Sequence, residues 1–115
     1  MSAPEEQIEL LRDICPGAQL FDEAGGKVAY LPGFEWPHLG VEHKMDLLLI
    51  PFPHTGYDNR VFFAEQLPPG PSAPQPQWTS RTAIGRNWMA PSVRGISNDR
   101  SWPEMLAGFL RVIAQ

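Results

Sequence analysis

Met45-Asp46-Leu47-Leu48-Leu49-Ile50-Pro51-Phe52-Pro53 is followed, across His54-Thr55-Gly56-Tyr57-Asp58-Asn59, by Arg60-Val61-Phe62-Phe63-Ala64-Glu65-Gln66-Leu67. The first run is rich in Leu and Ile, too short for a buried helix, and closed by two prolines. It reads as a central strand, Met45 to Pro51, whose ladder proline ends. The second run, Val61 to Leu67, carries β-branched and aromatic residues after a segment rich in Gly, Asp and Asn. The two are therefore expected to be neighbouring antiparallel strands joined by a structured loop.

Outward from this pair, the N-terminal side begins with a helix. Ser2-Ala3-Pro4-Glu5 has capping-box spacing, and Ile8, Leu11, Ile14 and Cys15 share a helical face, so a helix is expected from Pro4 to Ile14. Pro16-Gly17 stops it. Ala18 to Glu23 and Lys27 to Leu31 flank Ala24-Gly25-Gly26 and read as a hairpin. From Pro32 to Lys44 the breakers Pro32, Gly33, Pro37 and Gly40 favour a loop, with Phe34, Trp36 and Leu39 as its anchors. On the C-terminal side, residues 68–76 contain five prolines and read as an extended connecting loop. Its PxxP spacings lack the basic flanks that would suit an SH3-type groove. Gln77 to Arg100 shows little periodicity and is expected to cross the core irregularly, pinned by Trp78 and Trp88. Ser101-Trp102-Pro103-Glu104 repeats the capping box, and Met105, Leu106, Phe109, Val112 and Ile113 form the apolar stripe of a terminal helix. The fold class is thus α+β, a single domain over 1–115, with an antiparallel meander of about four strands covered by N- and C-terminal helices.

Composition narrows the function classes. The chain has 115 residues, 43% hydrophobic and 19% charged, enough for one core. No apolar stretch reaches the roughly 18 residues that span a bilayer, and the acidic start lacks a signal peptide's pattern, so a cytoplasmic protein with no membrane partner is expected. A single cysteine precludes an internal disulfide and fits a reducing compartment. Residues 1–76 hold 11 acids and 4 bases, whereas 77–115 hold 2 acids and 5 arginines, for a net charge of −4. That balance argues against nucleic acid as a partner. Arg81, Arg86, Arg94, Arg100 and Arg111 either form a patch for an acidic protein surface or pair with the acidic half.

A helix, a meander and then Pro53-His54-Thr55-Gly56-Tyr57 leading into Val61-Phe62-Phe63 resemble the ubiquitin-conjugating-enzyme-like (UBC-like) fold. Leu31-Pro32-Gly33, Asp46-Leu47-Leu48, Gly56-Tyr57, Trp78-Thr79-Ser80-Arg81, Trp88 and the final Trp102 to Ala114 occur in an order that resembles, within it, the small prokaryotic UBC-like family called prokaryotic family E. The resemblance runs from Leu31 onward. It implies a place in a ubiquitin-like conjugation pathway, with a ubiquitin-like protein or an activating enzyme as partner. Such an enzyme carries a thiolate nucleophile in the long segment after its fourth strand, and here no cysteine follows Leu67. Cys15, on the apolar side of the first helix, reads as a structural thiol. The expectation is a non-catalytic adaptor with no catalytic residue. The alternative is a stand-alone protein-binding accessory module.

Other chemistry is sparse. His38, His43 and His54 with Asp46 and Asp58 could suggest a metal, but His38-x-x-x-x-His43 is not a ligand spacing and no second cluster completes it. No phosphate loop or nucleophile elbow is present, so neither metal nor cofactor is expected. His54 and Tyr57 share the loop between the central strands and are the polar site candidates. Trp78, Arg81 and Trp88 read either as a recognition surface or as core staples.

Overall fold

The computed structural model describes residues 3–23, 25–71 and 75–115. Ser2 of the first capping box, Ala24 of the glycine turn and Ser72 to Pro74 of the proline-rich loop lie outside them. The chain runs α1 (Pro4–Arg12), β1 (Gln19–Glu23), β2 (Gly26–His38), β3 (Val41–Ile50), β4 (Arg60–Phe63), β5 (Trp78–Ala83), β6 (Arg86–Pro91) and α2 (Trp102–Ile113). One antiparallel sheet takes the strands in the order β1-β2-β3-β4-β6-β5. No helix among the described residues is long and apolar enough to cross a membrane.

The α+β class holds, with six strands in place of four. β3 and β4 are antiparallel neighbours, Leu47 opposite Phe63 and Ile50 opposite Arg60. Leu47, Leu48, Leu49 and Ile50 are all fully buried because both faces of the sheet are covered, which explains a continuous apolar run where a half-solvated strand would alternate. Leu47, Leu49, Val61 and Phe63 face Ile8, Leu11, Met105, Leu106 and Phe109 of the two helices. Leu48, Ile50 and Phe62 face the opposite way and pack with Val28, Trp88 and Ala90. β4 is shorter than the expected Val61 to Leu67; after Phe63 the Ala64 N–H reaches the Asp46 carbonyl at 3.1 Å, and Leu67 turns into the core.

Two expected loops are strands. Pro32 to Lys44 belongs to a long β2–β3 hairpin, in which Phe34 and Trp36 are buried strand residues and Leu39 is an exposed turn residue. The register shifts between Leu31 and Phe34, so Pro32 and Gly33 fall in a bulge that absorbs them without ending the strand. Pro37 is tolerated because β1 pairs only up to Tyr30, which leaves this part of β2 at an edge. The second correction is Gln77 to Arg100, where β5 and β6 form a hairpin from Trp78 opposite Pro91 to Ala83 opposite Arg86. Both hairpins close through two positive-φ residues, Leu39-Gly40 and Ile84-Gly85. Tight reversals of this hand suit the twist of the flanking strands, and glycine supplies the second position without steric cost.

β6 meets β4 through the single pair Phe63 and Met89, and from there the β5–β6 hairpin coils over the second face. Tyr30 of β2 and Trp88 of β6 lie with ring centroids 6.3 Å apart, whereas three strand spacings in a flat sheet would separate them by about 14 Å. Asp46 holds this curl. Its carboxylate accepts from the Gly33 N–H at 2.7 Å, the Tyr30 hydroxyl at 3.0 Å and the Arg86 guanidinium at 2.8 Å, joining the β2 bulge, the middle of β3 and the start of β6.

The helix termini follow their sequence signals in part. At α2 the Glu104 N–H donates to Ser101 Oγ and the Ser101 N–H donates to Glu104 Oε1, the expected reciprocal cap. α1 starts at Pro4 with Ala3 at the cap position, and the Ala3 N–H donates to Glu6 Oε1. It ends at Arg12, two residues before the expected Ile14, which is exposed.

Burial opposes the negative charge of Asp46, but the bonds from Arg86, Gly33 and Tyr30 outweigh it and hold the carboxyl below its usual range. A depressed carboxyl pKa contributes stability that is present above the unfolded value and lost as pH falls through the folded one. Asp46→Asn should therefore lower stability by about 2 kcal/mol near neutral pH, the scale for losing charge-assisted bonds. Chemical unfolding should also show the difference from wild type shrinking between about pH 5 and about pH 3.

Candidate functional site

Pro51 and Pro53 end the β3 ladder, and the chain reverses over Thr55-Gly56, both at positive φ. His54 N–H donates to Tyr57 O at 2.8 Å and Tyr57 N–H returns to His54 O at 3.0 Å, so the loop is a miniature hairpin with a fixed shape. The segment after β6 is tied to it. Asn59 Nδ2 donates to the Ile96 carbonyl and to Asn98 Oδ1, while Asn98 Nδ2 donates to the Asp58 carbonyl. Arg94 donates to the Gly56 carbonyl at 3.0 Å.

Tyr57 is packed by two guanidinium groups, with Arg60 4.2 Å and Arg94 4.3 Å from its ring centroid. Arg60 is only 1% exposed. It donates to Thr55 Oγ1 at 2.8 Å and to the Pro91 carbonyl at 3.2 Å, and it also approaches the Phe62 ring at 5.5 Å. Aromatic faces and neutral acceptors thus stand where a buried cation usually meets a carboxylate. Burial first, then the positive Arg81 and Arg94, pull its pKa down, against a countering contribution from Tyr57. The Tyr57 phenol is shifted down chiefly by a hydrogen bond with Ser92, helped by the charges of Arg60, Arg94 and Arg81 against its partial desolvation.

The structure brings His54, Tyr57 and Arg81 into one electropositive neighbourhood and leaves both tryptophans out of it. Arg81 is exposed on β5, and its charge acts on His54, Tyr57 and Arg60. Trp78 is half-buried on the helix-covered face, edge-on to Phe63 at 5.4 Å. Trp88 is a core residue: it is 1% exposed and its indole N–H is spent on the Ala83 carbonyl at 3.0 Å. Of the five C-terminal arginines, Arg86 pairs with Asp46 from the acidic half. Arg60 and Arg94 are the members of the cluster that the candidate set omits. The signal for Arg60 is a cation opening an otherwise apolar strand three residues after a tyrosine; for Arg94 it is only membership of the arginine-rich half.

The Thr55 hydroxyl lies 3.5 Å from His54 Nδ1 and accepts from Arg60, and the guanidinium groups around Tyr57 offer donors to anionic groups. Among the described residues no three His, Cys, Asp or Glu side chains converge as a metal site requires. A cleft of about 190 Å³ lies between the N-terminal ends of the helices, beside Gln7, Lys27, Phe52, Arg100 and Trp102. Two of its polar groups are already engaged, since Gln7 Oε1 accepts from the Trp102 N–H and Lys27 pairs with Asp22. Cys15 is buried, with Sγ 3.6 Å from the Pro32 carbonyl. Burial raises its pKa against a lowering bond from the Gly17 backbone, with the Asp46 charge adding to the rise, which disfavours the nucleophilic thiolate.

Compared with family models, with curated proteins and with solved structures, the chain finds no match.

Desolvation first, then the charges of Arg60 and Arg81, lower the His54 pKa from its ordinary 6.5, with Glu23 opposing. In acid the unfolded chain takes up this proton before the folded one does, so stability is retained above the unfolded pKa and lost as pH falls below it. The melting temperature should fall between about pH 7 and about pH 5, and the fall should be smaller in His54→Gln than in wild type.

Proposed function

We propose that this chain is a UBC-like, non-catalytic component of a prokaryotic ubiquitin-like conjugation system, binding a ubiquitin-like protein or its activating enzyme through the His54 to Tyr57 loop with Arg81 and Arg94. The observation that carries this reading is an N-terminal helix followed by the meander β1-β2-β3-β4, with Gly56-Tyr57 in the loop before β4, as the resemblance implies. The segment after β4, where a conjugating enzyme holds its nucleophile, is here built as the β5–β6 hairpin and contains no cysteine. The one thiol in the chain is buried beside Pro32. A second reading, a stand-alone protein-binding accessory module, is favoured by that same hairpin, because six strands exceed the four that the resemblance implies.

Reconstitution with an activating enzyme and a ubiquitin-like protein tests the adaptor. The expected outcome is stable association without a reducible thioester; a thioester that forms on wild type and vanishes in Cys15→Ser would overturn it. Failure to associate with either partner leaves the accessory module as the reading.

The location of the surface has its own test. Arg81→Ala should weaken partner binding by on the order of 1 to 2 kcal/mol, as interface arginines commonly do, and Tyr57→Ala should cost at least as much. Pro71→Ala and Pro74→Ala should leave affinity nearly unchanged, because a loop of Pro, Gly, Ser and Gln has few anchors to offer. Titration calorimetry, with melting curves to confirm that each variant folds, would reverse the assignment if the proline variants lost binding and both others kept it.

A further inference from the structure

Arg60 and Arg94 lie over the Tyr57 ring at 4.2 and 4.3 Å, the charge of exposed Arg81 on β5 acts on the same tyrosine, and none of the three forms an ion pair among the described residues. A shortage of carboxylates is not the reason, since the chain has 13 acids and a net charge of −4. Arg86, eight residues before Arg94, finds Asp46 at 2.8 Å. Asp58 stands in the same loop with its side chain exposed, and the group it contributes to the local bonding is its backbone carbonyl, to Asn98. The cluster is therefore a concentration of like charge without a carboxylate paired to any of its arginines, within a molecule of opposite overall sign, and Glu23 acts on it only at His54. Arg81 and Arg94 each work against the charge on Arg60, so an anion placed here would relieve repulsion as well as gain attraction.

The donors divide into inner and outer sets. Arg60 is buried and occupied by Thr55 and Pro91. Arg94 is exposed and steadied by the Tyr57 ring and the Gly56 carbonyl, and Arg81 projects from the outer strand of the sheet. A guanidinium held by an aromatic face loses less freedom when it meets a carboxylate, and its fork matches that group's geometry. We propose that the Arg81, Arg94 and Tyr57 surface docks an acidic peptide segment, whose carboxylates supply the anionic partners these arginines lack. The occupant being a peptide rests on the protein-binding reading above. A nucleic-acid backbone is a poorer fit, because its continuous row of charge would also meet the acidic N-terminal two-thirds of the chain, residues 1–76 with 11 acids and 4 bases.

Fluorescence anisotropy with a labelled hexaglutamate peptide tests this, beside a hexaglutamine peptide and a short single-stranded oligonucleotide. Hexaglutamate should bind, hexaglutamine should not, and binding should weaken from about 50 mM to about 300 mM salt. Arg81→Gln and Arg94→Gln should each weaken it by about three- to fivefold, the scale of one exposed charge pair, whereas Arg100→Gln, beside the helix-end cleft, should not. Arg81→Gln carries the test alone if losing the Arg94 bond to Gly56 unfolds the second variant. Equal binding of the neutral peptide, an Arg100→Gln effect as large as the others, or tighter binding of the oligonucleotide would overturn the proposal. Hexaglutamate binding needs no ubiquitin-like partner. A chain that binds it yet captures neither conjugation partner loses the adaptor reading and keeps this one; the reverse result removes this one alone.

Discussion

A single carboxylate, Asp46, ties the curved sheet together at three points. β6 shares one residue pair with β4, too little to hold a hairpin against the second face. The Arg86 contact to Asp46 supplies a further attachment, and Arg86 in turn lies 4.3 Å from the Trp88 ring centroid. Asp46 also accepts from Gly33 in the bulge that lets β2 continue past Pro32. The Asp46 carboxylate thus ties the β2 bulge to the start of β6, beside the packing of Trp88 and Ala90 on Leu48 and Phe62. Partial burial strengthens it, because bonds to an ionised group gain as water is excluded.

That tie between distant positions explains what could and could not be read from the residues. The β3–β4 pair, the first hairpin and the terminal helix carry their signals locally, in a fully apolar run, a glycine turn and a capping box. The β2–β3 tip and the β5–β6 hairpin do not. Pro32 and Pro37 look like breakers unless it is known that one falls in a bulge and the other on an edge. Ile84-Gly85 closes a hairpin without the Asn-Gly or Asp-Gly pair that announces such turns. Among the candidate site residues, His54 and Tyr57 were legible because they share one short loop. The company of Arg81, Arg94 and Arg60 was not, since Arg94 lies far along the chain from Tyr57 and meets it where the Asn59 and Asn98 bonds, with its own bond to the Gly56 carbonyl, tie the two segments together. Trp88 was ambiguous in principle: an indole serves a core and an interface equally well, and only the curl of the sheet decides between them.

Charge follows the same geometry. Arg86 spends its charge on architecture, and Arg60 spends its charge inside the Tyr57 loop, where burial makes it costly to remove as well as to hold. Arg81 and Arg94 are left at the surface, so a chain that is acidic on the whole presents a basic face opposite in character to its N-terminal half.

The closing turn of the β2–β3 hairpin fixes one more property. With Leu39-Gly40 as a two-residue reversal, His38 and Val41 form the innermost bonded pair, so the backbone of Pro37 faces away from β3. That outward row is the free margin of the sheet beyond β1, and at Pro37 it has no N–H to give, while the Gly33 N–H is already committed to Asp46. An extended chain laying itself alongside would find a ladder with missing rungs. Strand addition is weakened there, and a partner that meets this margin gains less from backbone than from side chains.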